Sequence, residues 1–150
     1  MNGMDNTDQF YYFAYASNLT LSLLEERVGN KLQNCLPGRL PDYGFRFNRK
    51  NPDGSARANI VVSESEDVFG LVCPIDQKYK DKFLQTEPGY LLISVAVETE
   101  HGDVPAFAFI SESDDENIYP SKEYLKGILE GAREHHLPEE YIDFIIALAK

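Results

Sequence analysis

The chain alternates between short apolar runs and polar breaks, and the spacing of the apolar positions changes along its length. In residues 40–48, Tyr43, Phe45 and Phe47 occupy every second position, which is typical of a strand with one buried face. Other short apolar runs, bounded by turn residues, have strand length. The predicted strands are residues 9–15, 40–48, 58–62, 68–75, 91–97 and 104–110.

A helical spacing of apolar residues appears in four segments, two of them at the end of the chain. Residues 21–28 begin after Asn18 or Thr20 as a cap and end at Gly29. A second helix is expected from Asp76 to about residue 85. Ser121 caps a third, and Pro138 begins the last.

This order of elements predicts an α+β fold. We expect a small mixed, mostly antiparallel β-barrel, flanked by short helices and followed by two C-terminal helices. Residues 1–8 are polar and are expected to be a flexible tail, and residues 9–150 are expected to form a single domain.

The charge of the chain excludes several partners. With 25 acidic and 14 basic residues, the net charge is -11. A nucleic acid or an anionic membrane surface attracts clustered Lys and Arg, so neither is an expected partner. Residues 1–9 lack the pattern of a signal peptide, which makes a cytoplasmic location the expectation.

The two cysteines are far apart and lack the C-x-x-C spacing of a zinc site. Cys73 lies in an apolar strand-like run and is expected to be a buried, inert thiol, and Cys35 is expected to serve packing. No histidine lies near either cysteine to activate it as a nucleophile.

The abrupt break after the first strand is a candidate binding site. The aromatic run of residues 11–15 ends at Ser17-Asn18, and a helical pattern begins at once. A short turn between a strand and a helix leaves backbone N–H groups unpaired, and these can bind a carboxylate or an oxyanion. The alternative is that Ser17 and Asn18 act only as helix caps.

Glu87 is the acid with the most unusual surroundings. It stands between the helix of residues 76–85 and the strand of residues 91–97, and Pro88-Gly89 forces a turn directly after it. A carboxylate held at such a corner is expected to be partly buried and suited to proton transfer near neutral pH. The alternative is a solvated acid at a helix end.

Both candidate segments resemble those of the γ-glutamylcyclotransferase family. Its signature, Tyr-Gly-Ser-Asn-Leu after the first strand, stands here as Tyr15-Ala16-Ser17-Asn18-Leu19, with alanine in place of glycine. Its essential glutamate, followed by Gly and Tyr, is similar to Glu87, Gly89 and Tyr90. Further similarity extends from residues 38–43, through 58–72, to the closing helices at 120–141.

This resemblance implies a cyclising acyl-transfer enzyme that acts on a small γ-glutamyl amine or amino acid. The α-amino nitrogen of the substrate attacks its own γ-carbonyl, which releases 5-oxoproline and a free amine. Glu87 is then the general acid and base. The substrate is bound by Tyr15, Ala16, Ser17, Asn18, Leu19, Tyr90 and Tyr124. No cofactor and no metal are required.

Two alternatives remain beside this interpretation. The first is a non-catalytic small-molecule-binding domain of the same fold, which Ala16 favours because it departs from the family signature. The second is an enzyme of the same fold that acts on a γ-glutamyl-tagged metabolite or a protein lysine. The resemblance does not separate these substrate classes.

Overall fold

A computed structural model describes residues 8–150 of the chain. The expected N-terminal tail, residues 1–8, lies outside the described residues except for Asp8. The strands are β1 (Gln9–Ala14), β2 (Leu36–Lys50), β3 (Ala56–Asp76), β4 (Leu91–Thr99) and β5 (Gly102–Ile110). The α-helices are α1 (Leu21–Val28), α2 (Lys80–Leu84), α3 (Lys122–Glu134) and α4 (Glu139–Leu148). Short 3-10 turns span Ser17–Leu19 and Gln77–Tyr79.

The five strands form one mixed sheet in the order β1-β3-β2-β4-β5, and the last strand returns to the first. The β1–β5 pair is parallel and the other pairs are antiparallel. Two of these strand pairings are short: β1 pairs with β5 at Tyr12 and Phe107, and β2 pairs with β4 at Arg39 and Glu98. The predicted α+β class and mixed sheet are confirmed. Among residues 8–150, none of the helices is long and apolar enough to span a bilayer.

The acidic segment Ser63–Asp67 was expected to be a loop between two strands, and this prediction is wrong. It is part of β3, although the register against β2 shifts here and Ser65 has φ +70°. Cross-strand ion pairs with β2 hold two of its acids. Arg46 donates two hydrogen bonds to Glu66, at 2.7 and 3.0 Å, and Arg39 lies 3.1 Å from Asp67. The hydrogen bonds from Arg46 lower the pKa of Glu66 to about 2. An acidic run therefore stays in a strand when basic residues face it.

The core fills the inside of the sheet and the space under the helices. Fully buried aromatic and aliphatic side chains from the strands meet those of α3 and α4, including Phe13, Phe45, Ile60, Leu71, Ile128 and Ile145. Burial of each such side chain stabilises the fold by about 1.5–3 kcal/mol. Tyr141 of α4 packs edge-on against Phe69, with ring centroids 5.1 Å apart. The C-terminal helices are thus fixed to the sheet that carries the candidate site.

The two cysteines form a disulfide, so the expectation of separate packing thiols is wrong. The register of the β2–β3 hairpin explains the pairing. Leu36 lies opposite Val72, and one step further out Cys35 comes opposite Cys73, with Cα atoms 4.2 Å apart. The sequence separation of 38 residues concealed this proximity, because register is a tertiary property.

Reduction of this disulfide should destabilise the protein. A cross-link of this length typically contributes about 2–4 kcal/mol, mainly by restricting the unfolded chain. We expect dithiothreitol to lower the free energy of unfolding of the wild type by that amount in urea titrations. Cys35→Ala, in which no bridge can form, should be insensitive to the reductant. Alkylation of two free thiols in the untreated, denatured protein would contradict the pairing.

Candidate active site

The turn after β1 exposes backbone N–H groups at its start. The N–H of Leu19 donates to the carbonyl of Ala16 at 3.0 Å, and that of Thr20 donates to Ser17 at 3.3 Å. The N–H groups of Ser17 and Asn18 begin the 3-10 turn and have no carbonyl within it to bond. These two donors are therefore the part of the turn best suited to bind an anion.

Helix α3 holds this turn in place by close packing at Gly131. A Cβ atom at Gly131 would lie 2.7 Å from the Cβ of Leu19 and 2.9 Å from the nitrogen of Thr20, so the close approach requires glycine. One turn further along, Nε2 of His135 lies 2.7 Å from the carbonyl oxygen of Leu19. His135 thus supports the turn.

The corner after α2 directs Glu87 inward. Residues 87–90 form a turn in which the N–H of Tyr90 donates to the carbonyl of Glu87 at 3.2 Å. Pro88 and Gly89 take its two central positions, and Gly89 has φ +87°, which favours glycine. The Glu87 residue is only 6% exposed. The expected burial of this carboxylate is thus confirmed.

Two arginines that sequence analysis did not identify contact the Glu87 carboxylate. Nη1 of Arg27 lies 3.4 Å from Oε1 and also donates to Asn18 Oδ1 at 2.7 Å and Ser17 Oγ at 2.9 Å. Nη2 of Arg57 contacts Oε2. Burial is the largest single influence and lowers the pKa of Arg57, but the charge of Glu87, its hydrogen bond and the nearby tyrosines together outweigh burial, and the pKa is raised. The carboxylate is therefore doubly paired.

Three tyrosine hydroxyl groups surround the same point, and their hydrogen bonds distinguish them. Tyr90 donates to the carbonyl of Ala58 at 2.7 Å, so its proton is engaged. Tyr124 accepts from the N–H of Ala58 at 3.0 Å, and Tyr12 accepts from Asn18 Nδ2 at 2.9 Å. Burial raises the pKa of all three, so all remain protonated at neutral pH. Tyr12 and Tyr124 are thus placed to donate to a ligand.

These groups enclose a cavity of about 20 Å³. Its lining comprises Tyr12, Tyr15, Ala16, Ser17, Asn18, Arg57, Ala58, Glu87, Tyr90, Phe109 and Tyr124. Seven of the eight candidate residues are therefore brought together, although β2 and β3 intervene in the sequence. The eighth, Leu19, is fully buried in the core and does not line the cavity.

A larger groove of about 460 Å³ adjoins the cavity. It shares Ser17, Arg57 and Tyr124 with the cavity, and the acidic residues Asp53 and Glu123 lie on its other side. The cavity and the groove together offer a path from the Glu87 carboxylate toward solvent.

The sequence held a signal for one of the missed arginines. Arg27 follows Leu24 by three positions and precedes Val28, and both neighbours are fully buried. An arginine on the buried face of a helix needs an acidic or polar partner inside the protein. Arg57 gave no comparable signal, because its partner, Glu87, stands 30 positions later in the chain.

Comparison with known proteins relates the chain to one family. A family model described as the AIG2-like family matches residues 67–145. The γ-glutamylcyclotransferase of Bos taurus is 31% identical over 89% of this chain and 76% of that protein. Its counterpart in Mus musculus is 29% identical over 94% of this chain and 79% of that protein. A solved structure titled γ-glutamyl cyclotransferase superposes with a TM-score of 0.83, at 27% identity, over 93% of this chain and 87% of that one.

Substitution of Ala16 by glycine should destabilise the protein slightly. Ala16 has φ -135°, so its backbone does not need the positive φ that favours glycine. Glycine adds freedom to the unfolded chain, and we expect the free energy of unfolding to fall by about 0.4–1 kcal/mol in urea titrations. The m-value should not change. A more stable Ala16→Gly variant would show that the methyl group is strained in the native turn.

Proposed function

Since this chain belongs to the γ-glutamylcyclotransferase, or AIG2-like, family, we propose that it cyclises a small γ-glutamyl compound to 5-oxoproline and a free amine. One observation carries the proposal: a buried glutamate and an anion-binding turn, 69 positions apart, line the same cavity. A carboxylate base beside N–H donors is what an intramolecular acyl transfer requires.

The reaction balances within the substrate and one side chain. The neutral α-amino nitrogen attacks the γ-carbonyl carbon, and a new C–N bond closes the five-membered ring. Glu87 accepts the proton released from this nitrogen and donates it to the departing nitrogen as the original amide bond breaks. Because nucleophile and electrophile belong to one molecule, holding it in a bent conformation supplies much of the rate enhancement.

Donors around the cavity would bind the charges that the substrate brings and develops. The N–H groups of Ser17 and Asn18 and the hydroxyl of Tyr124 would face the α-carboxylate or the oxyanion of the tetrahedral intermediate. Arg27, which already bonds both side chains of the turn, would add a positive charge. Leu19 would act through its buried side chain, by positioning the turn.

The tyrosines and the remaining lining residues would shape the site. Tyr90 would form a wall and support the Glu87 corner, since its own proton is engaged with Ala58. Tyr15, whose hydroxyl donates to the carbonyl of Phe109 at 2.7 Å, would fix the end of β1. The proposed chemistry assigns no step to a metal or a cofactor.

A second function is a non-catalytic small-molecule-binding domain of the same fold. The ion pairs of Glu87 favour it, because guanidinium groups contact both carboxylate oxygens and neither oxygen faces a substrate alone. In that case the arginines and Glu87 would form a structural cluster, and no γ-glutamyl compound would release 5-oxoproline. A panel of γ-glutamyl compounds with 5-oxoproline detection by mass spectrometry separates the two functions.

Glu87→Gln should abolish most of the activity. Glutamine keeps the size and hydrogen-bonding capacity of the side chain but does not transfer the proton, and general acid–base catalysis contributes about 10²–10⁴-fold. We expect turnover to fall by that factor, measured as 5-oxoproline release. Binding of a γ-glutamyl compound, followed by thermal shift, should persist.

Glu66→Gln is the matched control, because Glu66 is also paired with an arginine but does not line the cavity. It should retain wild-type turnover. Equal turnover of Glu87→Gln and the wild type would exclude Glu87 as the acid and base.

Tyr124→Phe should reduce turnover more than Tyr90→Phe. Each variant leaves one backbone group of Ala58 without its tyrosine partner, so their costs in stability are matched. Of these two tyrosines, Tyr124 has the hydroxyl proton that is free for the substrate, and loss of one such hydrogen bond corresponds to about tenfold. The measurement is kcat of both variants alongside their urea midpoints. A larger kcat loss in Tyr90→Phe would reverse the assignment of the two roles.

A further inference from the structure

The cavity at Glu87 is too small for the substrate that the proposed function requires. A volume of about 20 Å³ accommodates little more than a single water molecule. A γ-glutamyl group, with a carboxylate, an amine and a side chain of three carbons, is several times larger. At least one lining side chain must therefore move when such a compound binds.

Most of the lining is fixed. Tyr12, Tyr15 and Asn18 are at most 4% exposed, and hydrogen bonds hold their side chains. Phe109 is equally buried and packs edge-on against Tyr12, with ring centroids 5.6 Å apart. These side chains have no open space to enter. The side chain that moves must therefore be one that borders the groove.

Arg57 is a lining residue that has room to move. Its side chain is 24% exposed and borders both the cavity and the groove. Its guanidinium contacts the carboxylate of Glu87 and lies over one face of the Tyr90 ring, 5.0 Å from the centroid. A rotation toward the groove would enlarge the cavity and release Glu87 from one of its two cations. The same motion would unblock the site and leave Oε2 of Glu87 free to contact the substrate.

We infer, on the basis of the proposed function, that Arg57 determines leaving-group specificity by exchanging Glu87 for a carboxylate on the departing amine. With the glutamyl part beside Glu87, the leaving part extends into the groove that Arg57 enters. Two acids, Asp53 and Glu123, and two cations, Arg27 and Arg57, line that groove. Arg27 is held by hydrogen bonds to Ser17 and Asn18 as well as by Glu87, so Arg57 is the cation that can turn toward an anion. Arg57 therefore makes γ-glutamyl-amino acids better substrates than γ-glutamyl amines without a carboxylate.

The test uses two substrates that differ by one carboxylate, γ-glutamyl-alanine and γ-glutamyl-ethylamide. Wild-type kcat/KM, from 5-oxoproline release, should be higher for γ-glutamyl-alanine. Arg57→Gln should reduce the ratio of the two values by about 10- to 100-fold, as expected for loss of a charged hydrogen bond. Most of that change should be a higher KM for γ-glutamyl-alanine. Arg57→Lys, which keeps the charge, should retain part of the preference.

Arg49→Gln is the matched control. Arg49 lies opposite Arg57 in the β2–β3 register, and its guanidinium also lies against the Tyr90 ring, 4.9 Å from the centroid. It lines neither the cavity nor the groove. Its loss should leave the ratio of the kcat/KM values for the two substrates unchanged. An equal fall of the ratio in Arg49→Gln would assign the effect to the Tyr90 ring and overturn the inference.

Failure of the inference is distinguishable from failure of the proposed function. If the wild type converts both compounds and Arg57→Gln keeps the wild-type ratio, the inference is wrong and the function stands. If the wild type converts neither, the proposed reaction fails, and the affinities of the two compounds are compared by calorimetry. Equal affinity would then overturn the inference, whereas a preference for γ-glutamyl-alanine that Arg57→Gln abolishes would support it.

Discussion

The buried carboxylate of Glu87 is the constraint around which the candidate site is arranged. Moving an ionised carboxylate out of water costs several kcal/mol unless opposite charges and hydrogen bonds replace the lost hydration. Here Arg27 comes from α1 and Arg57 from β3, so the corner before β4 is joined to two distant parts of the chain. Removal of the carboxylate would leave the two partly buried arginines without this partner. The site and the local fold are therefore stabilised by the same contacts.

The β2–β3 hairpin provides the geometry that these charges need. Its register places Arg49 opposite Arg57, so that both guanidinium groups contact the Tyr90 ring, 4.9 and 5.0 Å from its centroid. The next residue of β3, Ala58, binds the hydroxyl groups of Tyr90 and Tyr124 through its carbonyl and its N–H. One stretch of strand thus orients two aromatic rings and one cation. A shift of one residue in this register would turn all of them away from the cavity.

Local patterns predicted much of this arrangement, and long-range pairing accounts for what they missed. Helix α1, its end at Gly29 and the Ser121 cap of α3 follow from short-range rules that the sequence displays directly. The disulfide, the continuation of β3 through residues 63–67 and the contact of Arg57 with Glu87 all depend on which strands lie side by side. Periodicity describes the faces of each strand but does not specify its neighbours.

The site residues also fall into those that local sequence patterns predicted and those that depend on long-range strand pairing. Ser17, Asn18 and Glu87 stand where one predicted helix or strand ends and the next begins. Their place in the site was predicted from these boundaries together with the family resemblance. Arg57 stands inside a regular strand, where an arginine is ordinarily a solvated residue. Its role appears only when the strand is placed beside the Glu87 corner. Its involvement therefore had to be read from the tertiary structure.

The charge balance of the site explains how a protein of net charge -11 can receive an anionic ligand. Long-range repulsion from this charge is screened within about 10 Å at ordinary ionic strength, whereas the two arginines and the turn N–H groups act at contact distance. In the free protein, Glu87 forms ion pairs with both arginines. An incoming carboxylate can take its place on Arg57, so the number of ion pairs is conserved while Glu87 becomes free to accept a proton. A reactive base would then appear only when a ligand with the right charge fills the site.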